Sequence, residues 1–207
     1  LAAIRREPVD YVPCVPLVNP LHEAQRRGRP WNFPWDPPGD GIEYLVRVLG
    51  TDHVVGDWWL GWFFPEEGVT SRGWQEGSIL HQVYETPSGV LHAAVLNDER
   101  WPFGQEIPFF HDFVGHYTEH WLKSEADLAC LRHVLLPPRT REQVDRMRAA
   151  FAARKAFADQ LQVATMATVG GGLTTALWMF GAQELALLTV DNPALVEGYL
   201  EWERRWS

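Results

Sequence analysis

Two short apolar segments, each ending in residues that can bind or react, limit most strongly how this chain can fold. The segment from His53 to Asp57 (HVVGD) predicts a buried strand that ends in a carboxylate. The segment from Gln162 to Val169 (QVATMATV) predicts another, which runs into three glycines and a helix. Predicted helices alternate with these strands, and this alternation is typical of an α/β protein with a largely parallel sheet. In a barrel of this class the strand ends carry the site.

Turn and capping signals predict the remaining elements. The apolar segments Ile79–Tyr84 and Val90–Val95 flank the turn-rich ETPSG and predict a β-hairpin. Tyr11–Leu17 alternates but contains two prolines, which predicts an edge strand. Helices are predicted from Asp40 to Gly50, from a capping box at Ser124 and Asp127, from Thr140 with Gln143, over Leu173–Phe180, and from Asp191-Asn192-Pro193.

Composition excludes several classes of protein. The chain has 207 residues, 46% of them hydrophobic and 22% charged, which suits one folded domain with a real core and excludes a disordered chain. It is shorter than the about 250 residues of a typical closed α/β barrel. A net charge of −9 argues against a nucleic-acid partner, because phosphates require a basic surface. No segment resembles a membrane span, so we expect no membrane partner.

Cysteine content and the chain ends give two further expectations. Cys14 and Cys130 cannot form a disulfide framework, so we expect a reduced, cytoplasmic protein. The chain begins with Leu1 rather than Met and stops directly after an amphipathic helix pattern. We therefore expect a piece of a longer protein.

Asp57 is the first candidate for a catalytic or substrate-binding residue. It ends a predicted strand and is followed closely by Trp58, Trp59 and Trp62. Among aromatic side chains a carboxyl group can have a raised pKa and donate a proton, or can accept hydrogen bonds from an N–H-rich substrate. The alternative is a helix cap or a salt bridge to an arginine.

The glycines Gly170, Gly171 and Gly172 form a second candidate site. They follow a strand and precede a helix, where free N–H groups and the helix dipole can hold an anion. Their spacing fits neither common nucleotide-binding motif. A tight turn that requires small residues explains them equally well.

Three histidines with an adjacent acid suggest a metal cluster. His116 and His120 are four residues apart and would share one face of a helix, with His111 and Glu119 nearby. However, HYTEH places the acid beside the second histidine, whereas the zinc-protease motif has it beside the first. A histidine group at the surface or at the edge of the core is the favoured interpretation, and no metal site is assigned.

Four segments in order resemble the uroporphyrinogen decarboxylase superfamily. They are spread in order over nearly the whole chain, and the glycine loop with its following helices is the longest. The matching segments are REPVDYVPCVPL at Arg6–Leu17, ETPSGVL at Glu85–Leu91, KSEADLACL at Lys123–Leu131, and the glycine loop with its helices at Gly170–Leu200.

This resemblance implies a (β/α)8 barrel with its pocket at the carboxyl ends of the strands. Residues 1–207 would then be a single, incomplete barrel domain, the amino-terminal half or more, truncated at its carboxyl terminus. The superfamily contains cofactor-free decarboxylases of tetrapyrrole acetate side chains. It also contains zinc-dependent methyltransferases that move methyl groups between corrinoid proteins and thiols such as coenzyme M.

The resemblance also implies roles for single residues. Asp57 matches the acid that binds pyrrole N–H groups in the decarboxylases, with Trp58 and the glycines Gly170–Gly172 also contacting substrate. Trp178 stands where the decarboxylases have a Tyr, and Asn19 stands where they have the first of two carboxylate-binding arginines. Without those arginines a substrate with eight carboxylates is poorly held, because each guanidinium makes a bidentate contact.

We therefore expect a divergent, methyltransferase-like member that moves a methyl group between a corrinoid and a thiol. The alternatives are a uroporphyrinogen decarboxylase proper, which acts in porphyrin biosynthesis, and a non-catalytic binding protein that retains the barrel. The expected partners are a small-molecule substrate (a tetrapyrrole, or a methyl donor and a thiol) and a corrinoid protein. The family's zinc ligands would lie beyond residue 207, where the metal would lower the pKa of the thiol.

Overall fold

The computed structural model describes residues 5–9, 38–58, 63–98, 101, 103–111, 115–168 and 171–205. For residues 38–41, 57–58 and 167–168 only the backbone is described. The helices and strands in chain order are α1 (Pro38–Arg47), β1 (Val54–Trp58), β2 (Thr70–Glu76), β3 (Ile79–Thr86), β4 (Gly89–Leu96), β5 (Tyr117–Glu119), α2 (Glu125–Val134), α3 (Arg141–Leu161), β6 (Ala164–Thr168), α4 (Leu173–Phe180), α5 (Ala182–Asp191) and α6 (Pro193–Arg204).

The chain divides into two compact units. The first unit comprises Leu1–Trp59 and Arg141–Thr168, and the second comprises Leu60–Thr140 and Val169–Ser207. The first contains one parallel pair of strands, and the second contains an antiparallel sheet of four strands. The fold is therefore mixed α/β, and the described strands form no closed barrel.

In the first unit, β1 and β6 pair in parallel over their full length, from Val54 opposite Ala164 to Trp58 opposite Thr168. Both strands were predicted from their short apolar sequences, and both are confirmed. The long helix α3 packs against both strands, and α1 packs against α3. Valine favours extended backbone because it is branched at Cβ, and Val55 is buried in this layer.

Helix α1 differs from the prediction only at its start. It begins at Pro38, so Asp40 lies inside the helix and does not cap it. Its end is as predicted, because Gly50 adopts a left-handed backbone with φ of +65°. This lets the N–H of Thr51 donate to the carbonyl of Leu45 at 3.0 Å, a bond typical of a glycine stop.

The sheet of the second unit has the strand order β2-β3-β4-β5, all antiparallel. The predicted hairpin is confirmed, but its connection has two residues rather than the predicted five, because Glu85 and Thr86 pair with Val90 and Gly89. The expectation of a largely parallel sheet is wrong for this larger sheet. Strands joined by tight turns must run antiparallel, and β2, which the sequence did not reveal, joins β3 through Gly77 and Ser78.

One face of this sheet and the helices around it form the core of the second unit. Leu80, Leu91, Ala93 and Val95 alternate along β3 and β4 toward this core and are completely buried. The core also contains buried side chains from the helices and the loops, namely Trp121, Leu122, Leu128, Leu131, Met179, Phe180, Leu195 and Tyr199.

The helices of the second unit confirm most of the capping predictions. Ser124 Oγ accepts the N–H of Asp127 at 3.3 Å and caps α2, whose Leu128 and Leu131 are buried as expected. Helix α6 begins with Pro193 at its first position, also as expected. Helices α4 and α5 meet at Gly181, where the chain bends by 102°.

The helix beginning at Thr140 and the helix over Leu173–Phe180 are confirmed as α3 and α4. The expected edge strand Tyr11–Leu17 lies outside the described residues. Within the described chain, no single helix is long and apolar enough to cross a membrane, although the bent pair α4–α5 reaches the required length and composition together.

Candidate functional site

Asp57 and Trp58 are the last two residues of β1, and they lie opposite the last two residues of β6. Asp57 pairs with Ala167, and Trp58 pairs with Thr168. Because the strands are parallel, both end at the same edge, where open α/β sheets carry their ligands. The backbone therefore places Asp57 where the sequence predicted it, at the carboxyl end of a strand, and its role toward a substrate stays a prediction.

Two features of the first unit lie near the two ends of β1. Arg154 of α3 donates from Nη1 to the carbonyl oxygen of Gly56 at 3.3 Å, one residue before Asp57. His53 precedes β1, and burial lowers the pKa of its imidazole. Its Nδ1 atom is buried and has no hydrogen-bond partner among the residues that the structure describes. A neutral imidazole is favoured there, since a charged ring would lose its hydration.

A buried carboxylate meets the glycine loop at the start of α4. Glu203 is 4% exposed, and its Oε2 accepts the N–H of Gly172, while its Oε1 accepts the hydroxyl of Thr175. A Cβ on Gly171 would collide with this carboxylate, so a side chain there would displace Glu203 from its present position. Glu203 thus occupies the helix terminus for which the sequence left anion binding and a tight turn as equal alternatives.

Tyr199 completes the group around this carboxylate. Its hydroxyl donates to Glu203 Oε1 at 3.4 Å, and the ring is fully buried. Burial first, and then the nearby carboxylate, raise the pKa of the Tyr199 hydroxyl. The hydroxyl therefore keeps its proton and remains a donor.

The remaining predicted site residues are distributed as follows. Trp178 is half-buried on α4, with its ring at 64° to that of Phe110 and the ring centroids 5.9 Å apart. Gly171, Gly172 and Trp178 belong to the second unit, whereas Asp57 and Trp58 belong to the first. Asn19 and Gly170 lie outside the described residues.

The predicted histidine group lies around a short strand rather than on a helix. His111 is buried and shares a 2.8 Å hydrogen bond between its Nε2 and the Tyr117 hydroxyl. His120 stacks on the same tyrosine at 4.8 Å between centroids, and burial lowers the pKa of its imidazole. His116 is exposed. In the described parts of the chain, no three His, Cys, Asp or Glu side chains are grouped so as to hold a metal ion.

A row of polar and aromatic side chains crosses the open face of the antiparallel sheet. Trp74 stacks on His81 at 4.9 Å, and His81 Nδ1 lies 3.1 Å from His92 Nε2. His92 Nδ1 lies 2.9 Å from Glu119 Oε2, and Lys123 Nζ donates to Glu119 Oε1 at 2.8 Å. Burial raises the pKa of Glu119, but the hydrogen bonds from Lys123 and His92 outweigh it and leave this pKa lowered.

Strand alternation and hairpin register would have revealed part of this row. In β3 and β4, His81 and His92 alternate with the core residues Leu80 and Leu91, so both point away from the core. With Thr86 opposite Gly89, the two histidines become diagonal neighbours, which are within side-chain reach.

A second group missed by the sequence analysis joins the hairpin turn, the end of α2 and a loop. Ser88 Oγ lies 2.8 Å from His133 Nε2, and His133 Nδ1 contacts Glu66 Oε2. The His133 side chain is 26% exposed and that of Glu66 is 41% exposed. No local signal predicts this group, since 45 residues separate the serine from the histidine and 67 separate the histidine from the glutamate.

A cleft of about 390 Å³ lies between α2 and α6. Arg132, Arg139 and Arg205 line it, together with Glu201 and Trp202. Hydrogen bonds from Arg204 and Arg205 lower the pKa of Glu201 to about 2. This carboxylate therefore neutralises part of the positive charge at the cleft.

The chain matches no protein-family model, no curated protein and no solved structure. Two arrangements among the described residues are candidate functional sites. One is the edge of the parallel pair at Asp57, and the other is the group formed by Ser88, His133 and Glu66.

Proposed function

We propose that the chain is part of a uroporphyrinogen decarboxylase-superfamily enzyme that transfers a methyl group between a corrinoid and a thiol. The register of β1 and β6 carries this proposal. It brings Asp57 to the carboxyl edge of a parallel pair, and in the sequence the glycines Gly170–Gly172 follow the second strand of that pair. A substrate pocket in an α/β barrel is built at this edge.

The proposal extends the observed parallel pair to an incomplete (β/α)8 barrel. In it, β1 and β6 are adjacent barrel strands, and the antiparallel sheet with α2 belongs to the connection between them. The sequence motifs support this order, since the TPSG turn and the KSEADLACL helix both lie between the two strands. The coarser description, a mixed α/β fold, holds independently of this extension.

Asp57 would act as a hydrogen-bond acceptor for N–H groups of the substrate. A carboxylate at a strand end offers two acceptor oxygens, and a hydrogen bond to a charged group contributes about 1.5–3 kcal/mol. Trp58, the next residue of β1, would contact the same substrate. The substrates in this proposal are small molecules, with a corrinoid protein as a partner and a corrinoid as co-substrate.

The described residues do not supply the zinc site of such methyltransferases. In the family that the sequence resembles, the zinc ligands would lie beyond residue 207, so the proposal assigns to this chain the binding and orienting of the substrate.

The test uses the polypeptide of the complete reading frame that contains these residues. Zinc content is measured, and methyl transfer from methylcobalamin to a thiol is followed. Asp57→Asn should lower kcat/KM about 10- to 100-fold, which corresponds to the loss of one hydrogen bond to a charged acceptor. The control is Asp191→Asn, which removes the same charge at the exposed end of α5.

Each outcome of this test decides between the candidate functions. Methyl transfer that depends on Asp57 supports the proposal. Release of CO2 from a tetrapyrrole without methyl transfer would replace it with the decarboxylase. If the protein neither transfers methyl groups nor releases CO2, the proposed function is wrong. If, in addition, Asp57→Asn binds a tetrapyrrole as tightly as the wild type does, Asp57 has no role in binding the substrate.

A further inference from the structure

Ser88, His133 and Glu66 are arranged like the nucleophile, base and carboxylate of a serine hydrolase. Ser88 Oγ is 2.8 Å from Nε2 of His133, and the other ring nitrogen, Nδ1, contacts the Glu66 carboxylate. Each ring nitrogen therefore has one partner, in the order that general-base activation of a hydroxyl requires.

The chemistry of these hydrogen bonds determines where the proton lies. An ionised carboxylate can only accept, so Nδ1 must carry a proton and donate it to Glu66. In a neutral imidazole the other nitrogen is then an acceptor. The Ser88 hydroxyl consequently donates to Nε2, which can remove its proton.

Backbone contacts hold the three segments together. The N–H of Glu66 donates to the carbonyl of His133 at 2.8 Å, and the N–H of Phe64 donates to the carbonyl of Leu136 at 2.9 Å. On the hairpin side, the N–H of Ser88 donates to Thr86 Oγ1 at 3.2 Å. The loop is thus fixed to the end of α2, and the turn is fixed internally.

Two negative groups lie close to the His133 ring. It lies in the last turn of α2, where the helix dipole is negative. The carboxylate of Glu66 adds a second negative group on the opposite side of the ring from Ser88.

We propose that this group hydrolyses carboxylic esters with short acyl chains, as an activity separate from the proposed function and independent of it. Ser88 is exposed on a turn, which leaves it accessible to a small ester. Ser88 is the nucleophile, His133 is the proton carrier, and Glu66 is a positioning residue.

The reaction proceeds in two steps. The Ser88 proton moves to Nε2 of His133 while Oγ bonds to the ester carbonyl carbon; the bond to the alcohol oxygen then breaks, and the alcohol leaves with the proton from Nε2. Water next gives a proton to Nε2 and attacks the acyl carbon. The bond from this carbon to Oγ breaks, the carboxylic acid leaves, and Ser88 regains its proton.

The test combines covalent labelling with turnover on the full chain. An uncharged fluorophosphonate is expected to modify Ser88, identified by mass spectrometry of the peptide. The rate of p-nitrophenyl acetate hydrolysis should decrease at least about tenfold in Ser88→Ala. The rate at which the fluorophosphonate labels Ser88 should decrease about 100-fold in His133→Gln, which is within the range of general-base catalysis. Glu66→Gln should lower kcat and leave KM unchanged, a result that a merely structural contact would not give.

The matched control is Ser78→Ala, which changes an exposed serine in the turn between β2 and β3. It should retain both labelling of Ser88 and turnover. Circular dichroism and thermal melting establish that each variant is folded. An unlabelled Ser88 in the folded wild-type chain, or labelling at the same rate in His133→Gln, overturns the proposal.

Discussion

At the scale of single residues, the Glu203 carboxylate is the most consequential group in the second unit. Its oxygens accept from the backbone of Gly172 and from the hydroxyls of Thr175 and Tyr199. It thereby joins the start of α4 to the end of α6. A buried carboxylate is costly unless its oxygens are satisfied, and here each has at least one donor.

Replacing this carboxylate should reduce stability in a graded order. Glu203→Leu leaves the N–H of Gly172 without its acceptor, and it should lower the free energy of unfolding by about 1–3 kcal/mol. Glu203→Gln retains one acceptor oxygen and should lose less. Urea unfolding followed by circular dichroism measures both.

The control for this series is Glu197→Leu, on the same helix but with an exposed side chain, which should change stability little. Equal losses for Glu203→Leu and Glu197→Leu would show that the buried carboxylate has no special role in joining α4 to α6.

Local patterns revealed some of the candidate site residues and could not reveal others. Asp57 was predicted at a strand end because a strand is a local apolar pattern followed by a polar residue. The partner of the glycine loop, Glu203, is 31 residues from Gly172, and nothing in the spacing connects them. The same holds for Ser88 and His133, which only the packing of α2 beside the hairpin turn brings together.

At the scale of helices and strands, the sequence predicted those elements whose signals are local. The capping box of α2, the proline that begins α6 and the turn of the β3–β4 hairpin all lie within a few residues of the element they define. Strand β2 (TSRGWQE) was missed, because all its residues are exposed and it shows no alternation of apolar and polar side chains.

The two sheets should differ in the stability of their hydrogen bonds. Among the described strands, β1 and β6 pair only with each other, whereas β4 is paired on both sides. A two-stranded sheet is marginal alone, so opening it locally requires less free energy. We expect amides of β1 and β6 to exchange with deuterium at least about tenfold faster than those of β4.

Hydrogen–deuterium exchange with mass spectrometry measures this difference. The amides in the first turn of α3, which lack partners within the helix, provide a reference for fast exchange. Equal protection in the two sheets would mean that β1 and β6 have further pairing partners.

At the scale of the whole molecule, both units contain a histidine that folding keeps neutral. Burial lowers the pKa of His53 in the first unit and of His120 in the second below the ordinary value of 6.5. The unfolded chain therefore binds these protons more readily than the folded chain. The stabilisation is fully present above pH 6.5 and decreases as the pH falls toward the lowered pKa values.

The free energy of unfolding should accordingly decrease from about pH 7.5 to about pH 5.5. Urea titrations across this range measure it, at constant ionic strength. His120→Gln should reduce the slope, because it removes one of the two groups. His116→Gln, which changes an exposed histidine in the same segment, should leave the slope as in the wild type, and the explanation fails if both variants behave alike.

The parallel pairing of β1 and β6 also determines the order in which the chain can fold. The β3–β4 hairpin closes across Pro87 and Ser88 alone, whereas β1 can meet β6 only after residues 59–163 have been looped out. The entropy lost on closing a loop increases with its length, so the hairpin can form early and the parallel pair is delayed. The edge that carries Asp57 is therefore among the last parts to assemble, and synthesis must pass residue 168 before it exists.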